Sequence, residues 1–229
     1  MASTLKVAEL FGPTFQGEGP SLGRHATFVR LSGCNLACSW CDTPWTWQWQ
    51  SYDRAAEQTV MTVEAVLAWA RDRADLVVVT GGEPLLQAEP LTELTTKLLA
   101  TGASVEIETN GTVVPPDALL AGQVTFNVSP KLANAGMPDR RRVRGQALRT
   151  LAASGHARFK FVVTGAADLD EIEVLQEEYD LDDVWVMPEA TTSGRLLRLL
   201  RELADPVVER GWNLAPRLHV LLWEDARAR

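Results

Sequence analysis

The chain has 229 residues, of which 46% are hydrophobic and 23% charged, and its formal net charge is −8. This length suits one well-buried domain, and the acidic balance excludes nucleic-acid binding by general electrostatics. No run approaches the ~20 apolar residues of a membrane helix, and Met1 to Phe15 lack the basic and apolar regions of a secretory signal. A cytoplasmic protein is therefore expected, with residues 1–229 as a single domain.

Short β-rich runs alternate with helical patterns. The first strand is expected at Thr27–Leu31, and the region from Thr43 to Val60 shows no helical pattern. Within it Trp45, Trp47 and Trp49 alternate with polar residues, a period of two that suggests a short strand or hairpin edge. It admits local packing or a hydrophobic flap. Thr62 is a good N-cap for a helix over Val63–Arg73, with Met61 placed as a hydrophobic staple. A strand at Leu76–Thr80 precedes a helix over Pro90–Thr101, which Gly102 terminates. Strands follow at Ser104–Glu108 and Val124–Val128, then a helix over Gly145–Ser154 ending near Gly155. A strand at Arg158–Val163 leads to a helix over Leu169–Tyr179. A strand at Val184–Met187 leads to a helix over Arg195–Glu209, and a last strand is read at Leu218–Leu222.

Several strands read as nearly continuous apolar runs, the pattern of strands covered on both faces. Repeated βα units imply a parallel sheet. Five or six units are too few for a closed eight-stranded barrel, so the expected fold is α/β, a partial (open) βα barrel of about six parallel strands. A doubly wound open sheet is the alternative. Either architecture places its site at the carboxyl ends of the strands.

All three cysteines, Cys34, Cys38 and Cys41, fall in one loop directly after the first strand. A secreted disulfide framework has an even number spread along the chain. Thiolates suit soft metals and iron–sulfur clusters, whereas a structural zinc site takes four protein ligands. Three thiolates leave one iron of a cubane open to a small molecule. Three buried structural cysteines, or zinc with a histidine as fourth ligand, are the competing readings. The basic run Arg140-Arg141-Arg142-Val143-Arg144 reads as a solvated segment, or alternatively as a phosphate or RNA contact.

The spacing C-x3-C-x2-C after the first strand resembles the radical S-adenosylmethionine (SAM) superfamily. Thr80-Gly81-Gly82-Glu83-Pro84, after the second strand, resembles the GGEP motif of that superfamily. The resemblance implies a 4Fe–4S cluster on Cys34, Cys38 and Cys41, and SAM on the open iron.

A closer resemblance, over nearly the whole chain, is to the 7-carboxy-7-deazaguanine synthases. It is carried by Phe15-Gln16-Gly17-Glu18-Gly19, by Phe28 to Asn35 with Arg30, by Cys41-Asp42-Thr43, by Ser129-Pro130-Lys131 and by His219. That family's reaction contracts 6-carboxy-5,6,7,8-tetrahydropterin to 7-carboxy-7-deazaguanine with loss of ammonia, on the way to queuosine and related 7-deazapurines. The resemblance implies substrate contacts at Phe15, Gln16, Gly17, Glu18, Arg30, Thr80 and His219. It implies SAM contacts at Trp40, Cys41, Asp42, Gly82, Glu83, Ser129, Pro130 and Lys131, and Mg2+ on Thr43. It further implies a homodimer and an electron donor such as flavodoxin or ferredoxin, with neither nucleic acid nor membrane as partner.

Residue chemistry agrees in part. Arg30 offers a bidentate fork to a carboxylate, with a structural salt bridge as the alternative. Glu18 and the backbone around Gln16 and Gly17 offer acceptors to a pterin edge. A histidine such as His219 is as often structural, and Lys160, inside a strand, faces the interior without an assigned role. Ten residues follow His219, so a C-terminal carboxylate near the substrate is not expected; the tail from Trp223 to Arg229 instead covers the open side. Two other functions remain: a glycyl-radical activating enzyme, and a non-catalytic metal or electron-transfer module.

Overall fold

A computed structural model describes residues 2–224 and 226–228. In chain order it runs β1 (Thr4–Phe15), β2 (His25–Leu31), α1 (Arg54–Glu57), β3 (Thr59–Thr62), α2 (Val63–Ala70), β4 (Leu76–Gly81), α3 (Ala88–Ala100), β5 (Ser104–Thr109), α4 (Asp117–Leu120) and β6 (Thr125–Val128). It continues with α5 (Asp139–Arg142), α6 (Gly145–Ala153), β7 (Ala157–Val163), α7 (Leu169–Tyr179), β8 (Val184–Pro188), α8 (Ser193–Glu209), β9 (Asn213–Leu214) and α9 (Leu218–Trp223). Among the described residues the strands form one sheet in the order β3-β1-β2-β4-β5-β6-β7-β8-β9. From β2 to β9 every pairing is parallel, while β1 pairs antiparallel with β2 and with β3. The sheet is open, as the sequence predicts for a partial barrel.

The strands are two-faced. Val29, Leu31, Val77, Val79, Val105, Ile107, Phe126, Val128, Phe159, Phe161 and Val163 enter one core together with apolar residues of α2, α3, α6, α7 and α8. The residues between them on the same strands, Arg30, Thr80, Glu108 and Lys160, line a cavity on the other face. Period two in a pleated strand makes this separation. The expectation of strands apolar on both faces holds for β2 and β4, whose Ala26, Phe28, Leu76 and Val78 form a second apolar cluster with Phe11, and is corrected for β5 and β7, where Glu106, Glu108 and Lys160 are the polar half of an alternating pattern.

The helix starts and stops follow local chemistry. Thr62 caps α2 by accepting from Ala65 N–H at 3.2 Å. Gly102 and Gly155 follow the C-caps of α3 and α6 with φ of 89° and 70°, the left-handed conformation that ends helices.

Four sequence expectations are corrected. Twelve-residue β1 was missed because Gly12-Pro13 reads as a breaker. The β3 pairing covers only Thr4–Val7, so Pro13 falls where no neighbour needs its missing N–H. Leu218–Leu222 is helix, not strand: Val220 packs on Ala190 and on Leu196 of α8, and a short apolar run does not distinguish the two states by period. Trp45, Trp47 and Trp49 form no strand; Pro44–Thr46 is a 3-10 turn, closed by Thr46 Oγ1 donating to Thr43 O at 2.8 Å. The short β9 was also missed. Among the described residues no helix is long and apolar enough to cross a membrane.

Candidate functional site

Four loops at the carboxyl ends of β2, β4, β5 and β6 meet around one cavity of about 240 Å³. They bring Cys34, Cys38 and Cys41; Gly81 and Gly82; Thr109 and Asn110; and Ser129 and Lys131. This is the strand edge where parallel βα folds carry their sites.

The loops are tied to one another before any ligand is considered. Gly82 N–H donates to Leu31 O at 3.1 Å, and Glu83 N–H to Gly33 O at 2.8 Å. A side chain at Gly81 would collide with the Leu31 backbone, and one at Gly82 with the Gly33 backbone. Glycine is required here first for the approach of two protein loops. Glu83 is fully buried and points away from the cavity. It accepts from Asn110 N–H at 2.7 Å, Thr109 Oγ1 at 2.8 Å and Leu85 N–H at 3.0 Å. Burial raises its pKa against those donors.

The cysteine loop fits a polynuclear cluster. Its three thiols are free and face one cavity. A structural zinc site takes four protein ligands, and this loop offers three. N–H donors are already aimed at the sulfurs: Trp47 Nε1 lies 3.3 Å from Cys41 Sγ and Leu36 N 3.4 Å from Cys34 Sγ. Burial pushes the Cys34 thiol up to about 12 and raises that of Cys38. Thiolates here need a bound cation to form, and waiting N–H groups then satisfy the charge.

Behind the cysteines lies a buried charge network. Glu18 pairs with Lys160 and, at 3.1 Å, with Arg217; His219 Nε2 stands 4.0 Å away. Arg217 also pairs with Asp42, next to Cys41, and donates to Ala190 O at 2.9 Å. Lys160 reaches Glu108 at 3.7 Å, and Glu108 accepts from Thr80 Oγ1 at 2.7 Å. Burial raises the Glu18 pKa, but Lys160, Arg217 and His219 outweigh it and hold the carboxyl well below the usual range. Burial lowers Lys160, but Glu18 and Glu108 outweigh it and keep the amine charged. Burial dominates at His219 and lowers its pKa, so its ring is neutral near pH 7.

At the mouth, Arg30 donates through Nε to Glu9 at 3.0 Å and lies over the Phe11 ring at 5.3 Å. Its two Nη groups have no hydrogen-bond partner among the described residues. The tail reaches the same place: Ala226, Arg227 and Ala228 line the cavity. Arg227 pairs with Glu9 and Glu57 and stacks on Trp45 at 4.4 Å. Asp225 and Arg229 lie outside the described residues.

The cavity therefore gathers Phe15, Gln16, Gly17, Glu18, Arg30, Thr80 and His219, with Trp40, Cys41, Asp42, Gly82, Ser129 and Lys131, and with Cys34, Cys38 and Thr43. Glu83 and Pro130 do not line it. Trp45 and Trp47 do, whereas Trp49 packs beneath Arg54 at 5.5 Å. The sequence places Glu108-Thr109-Asn110-Gly111 among the polar segments at the carboxyl edge of the strands without giving each residue a role, gives Lys160 no role, and does not point to Arg217. The signal for Glu108 and Lys160 was present, as charged residues at strand positions facing away from the apolar half. Arg217 carried no such signal, because α9 had been read as a strand.

Residues 28–150 match the sequence profile of the Radical SAM superfamily. A 7-carboxy-7-deazaguanine synthase of Pyrobaculum aerophilum is 39% identical, with 98% of this chain and 97% of that one aligned. One of Halobacterium salinarum is 37% identical over 97% of this chain and 91% of that one. The crystal structure of QueE from Escherichia coli superposes with a TM-score of 0.69 at 28% identity, covering 94% of this chain and 95% of that one.

Proposed function

Because the chain belongs to the 7-carboxy-7-deazaguanine synthase family of radical SAM enzymes, we propose that it contracts 6-carboxy-5,6,7,8-tetrahydropterin to 7-carboxy-7-deazaguanine with loss of ammonia. The observation that carries this reading is the single cavity that holds the Cys34–Cys41 loop at one side and the Gln16–Glu18 segment with Arg30 at the other. Its size suits a small molecule, which disfavours an activating enzyme that must admit a partner's loop.

Cys34, Cys38 and Cys41 would hold the 4Fe–4S cluster, which with SAM would supply radical chemistry at this site. The protein's own residues bind, orient and shield. Arg30, fixed through Nε by Glu9, turns its free Nη edge to the substrate carboxylate, and a planar fork suits that anion. Glu18 is held ionised by Lys160 and Arg217, so it accepts N–H groups of the pterin edge and gives up no proton doing so. Gln16 Oε1 accepts from Glu18 N–H at 3.2 Å, which sets the turn that presents them. His219 packs directly on Gly17, leaving no space there for a side chain, and its neutral ring faces the same region. Ser129 and Lys131 take SAM, with Lys131 Nζ donating to Ser129 Oγ at 2.8 Å and lying over the Trp40 ring at 5.4 Å. Glu83 acts through Asn110 and Thr109, as a positioning residue and not as a SAM ligand.

Thr43 Oγ1 lies 3.8 Å from Cys41 Sγ, between the cluster loop and the charge network. As a Mg2+ ligand it needs substrate oxygens and water to complete the shell. By family resemblance the enzyme works as a homodimer in the cytoplasm, with flavodoxin or ferredoxin as electron donor.

The test is an anaerobic assay of the cluster-loaded protein with 6-carboxytetrahydropterin, SAM, Mg2+ and dithionite, read by mass spectrometry. Formation of 7-carboxy-7-deazaguanine, dependent on the pterin carboxylate and weakened by Arg30→Met, supports the reading. SAM cleavage to 5′-deoxyadenosine with no deazaguanine overturns the substrate assignment and leaves the radical chemistry.

A further inference from the structure

The basic run from Arg140 to Arg144 has no part in the site just described. Its members do different work. Arg142 is buried, 4% exposed. It donates to Lys131 O at 2.8 Å and Met137 O at 3.2 Å and pairs with Asp139 and Glu171. It therefore anchors the segment that carries Lys131. Arg140, Arg141 and Arg144 are exposed. Of the carboxylates beside the run, Asp139 and Glu171 pair with Arg142 and Asp170 pairs with Arg210, while Glu178 lies on the Val143 side; no ion pair joins Arg140 or Arg141 to a carboxylate among the described residues.

The position of this patch is fixed by one contact. Arg141 donates to Asn35 O at 3.3 Å, and Asn35 is the neighbour of Cys34 in the cluster loop. The outer side of that loop presents Asn35, Ala37 and Ser39 to solvent, all small and uncharged. Its underside is packed from the same direction: Leu36 lies with Ala135 and Met137, Ala37 N–H points to Met137 Sδ at 3.3 Å, and Ser39 N–H donates to Ala135 O at 3.1 Å. A face made of a neutral cluster loop bordered by exposed arginines thus stands on a chain whose net charge is −8.

We infer that this face docks an acidic one-electron donor protein over the cluster loop, with Arg140 and Arg141 as its principal charge contacts. The inference rests on the cluster assigned to Cys34, Cys38 and Cys41. One electron leaves the donor, which is oxidised, and enters the cluster, which is reduced; no covalent bond forms. Patches of one sign steer and orient an oppositely charged partner. The net negative charge of the chain disfavours an acidic protein in general, so the arginines beside the cluster loop also set the register. The same repulsion disfavours nucleic acid, whose extended phosphate chain would run beyond three arginines onto acidic surface.

The experiment compares cluster-loaded wild type with Arg140→Glu/Arg141→Glu and with Arg140→Glu alone. Reduced flavodoxin serves as the donor and dithionite as the small chemical reductant. Binding of oxidised flavodoxin is titrated at about 50 mM and about 200 mM salt, and cluster bleaching is followed by absorbance. The inference expects the double variant to bind flavodoxin at least about tenfold more weakly at low salt. It expects a smaller difference at high salt and an unchanged rate with dithionite. Unchanged flavodoxin affinity overturns it. Equal loss with dithionite and flavodoxin makes Arg141 a brace of the cluster loop. In that case Arg140→Glu, which touches no part of the loop, decides: unchanged flavodoxin binding in that variant also overturns the inference. An RNA duplex bound by wild type and lost in the double variant, with flavodoxin binding retained, assigns the face to nucleic acid instead. Absence of deazaguanine in the dithionite assay bears on the substrate alone and leaves this result readable.

Discussion

Replacing Lys160 with methionine tests the buried charge network most sharply. Methionine keeps most of the stem volume and removes the ammonium from Glu18 and Glu108. The two side chains of the main pair are 6% and 16% exposed. Removing one partner of a buried pair costs about 3–5 kcal/mol. Here Glu18 keeps Arg217 at 3.1 Å and Glu108 keeps Thr80 at 2.7 Å, so the expected cost falls to about 2–3 kcal/mol. For a chain of this length that corresponds to a melting temperature lower by roughly 5–10 °C.

The pH dependence of that cost has a definite sign. Glu18 has a folded pKa below its ordinary 4.5, so its share of the stabilisation is complete above about 4.5 and is lost as pH falls through the folded value. Lys160 has a folded pKa above its ordinary 10.5, so its share is complete below about 10.5 and is lost as pH rises through the folded value. The gap between wild type and Lys160→Met is therefore flat between those limits and narrows outside them. Urea unfolding of cluster-free protein at several pH values measures it. A variant within about 0.5 kcal/mol of wild type at pH 7, or a gap that widens toward pH 4, would refute the reasoning.

Gly82→Ala puts a methyl group into the Gly33 backbone. It is expected to lower cluster occupancy, measured as visible absorbance per protein, and to destabilise the fold by roughly 1–3 kcal/mol. Glu83→Gln replaces an acceptor-only carboxylate with an amide that cannot satisfy all three donors from Leu85, Thr109 and Asn110. SAM affinity measured by equilibrium dialysis should fall about tenfold, with roughly 1–3 kcal/mol lost in stability. His219→Phe removes a ring held neutral by burial. Since a lowered histidine pKa stabilises above about 6.5 and the contribution is lost as pH falls through the folded value, the variant should unfold with a shallower acid limb below about pH 6.5 than wild type.

The parallel core strands and the long helices were legible because each has a strong local period and a recognisable cap, as with Thr62 and Gly102. The cysteine loop and the loop at residues 81–84 were legible on one face, because each directly follows a predicted strand, whereas residues 16–18 and His219 follow or sit on elements the sequence did not give correctly. What escaped has physical reasons. β1 is held between two antiparallel partners, the following strand β2 and the distant β3, and Gly12-Pro13 masks its pattern. α9 is a helix only because α8 offers Leu196 to Val220. The roles of Glu18 and Glu83 depend on which neighbours they meet: Glu18 sits between two cations from β7 and the stretch before α9, and Glu83 turns under the cavity to hold β5. Motif matching groups Glu83 with the SAM contacts, and the structure buries it on donors from Leu85, Thr109 and Asn110.

The proposed ring contraction puts the cluster loop and the pterin contacts in one cavity, and the family resemblance implies that the radical is passed back to SAM at each turnover. The ratio of 7-carboxy-7-deazaguanine formed to 5′-deoxyadenosine accumulated, in the anaerobic assay with limiting SAM, tests this most directly. A ratio well above one is predicted. Deazaguanine formed one-for-one with 5′-deoxyadenosine would contradict the return of the radical, and 5′-deoxyadenosine without deazaguanine would contradict the reaction itself.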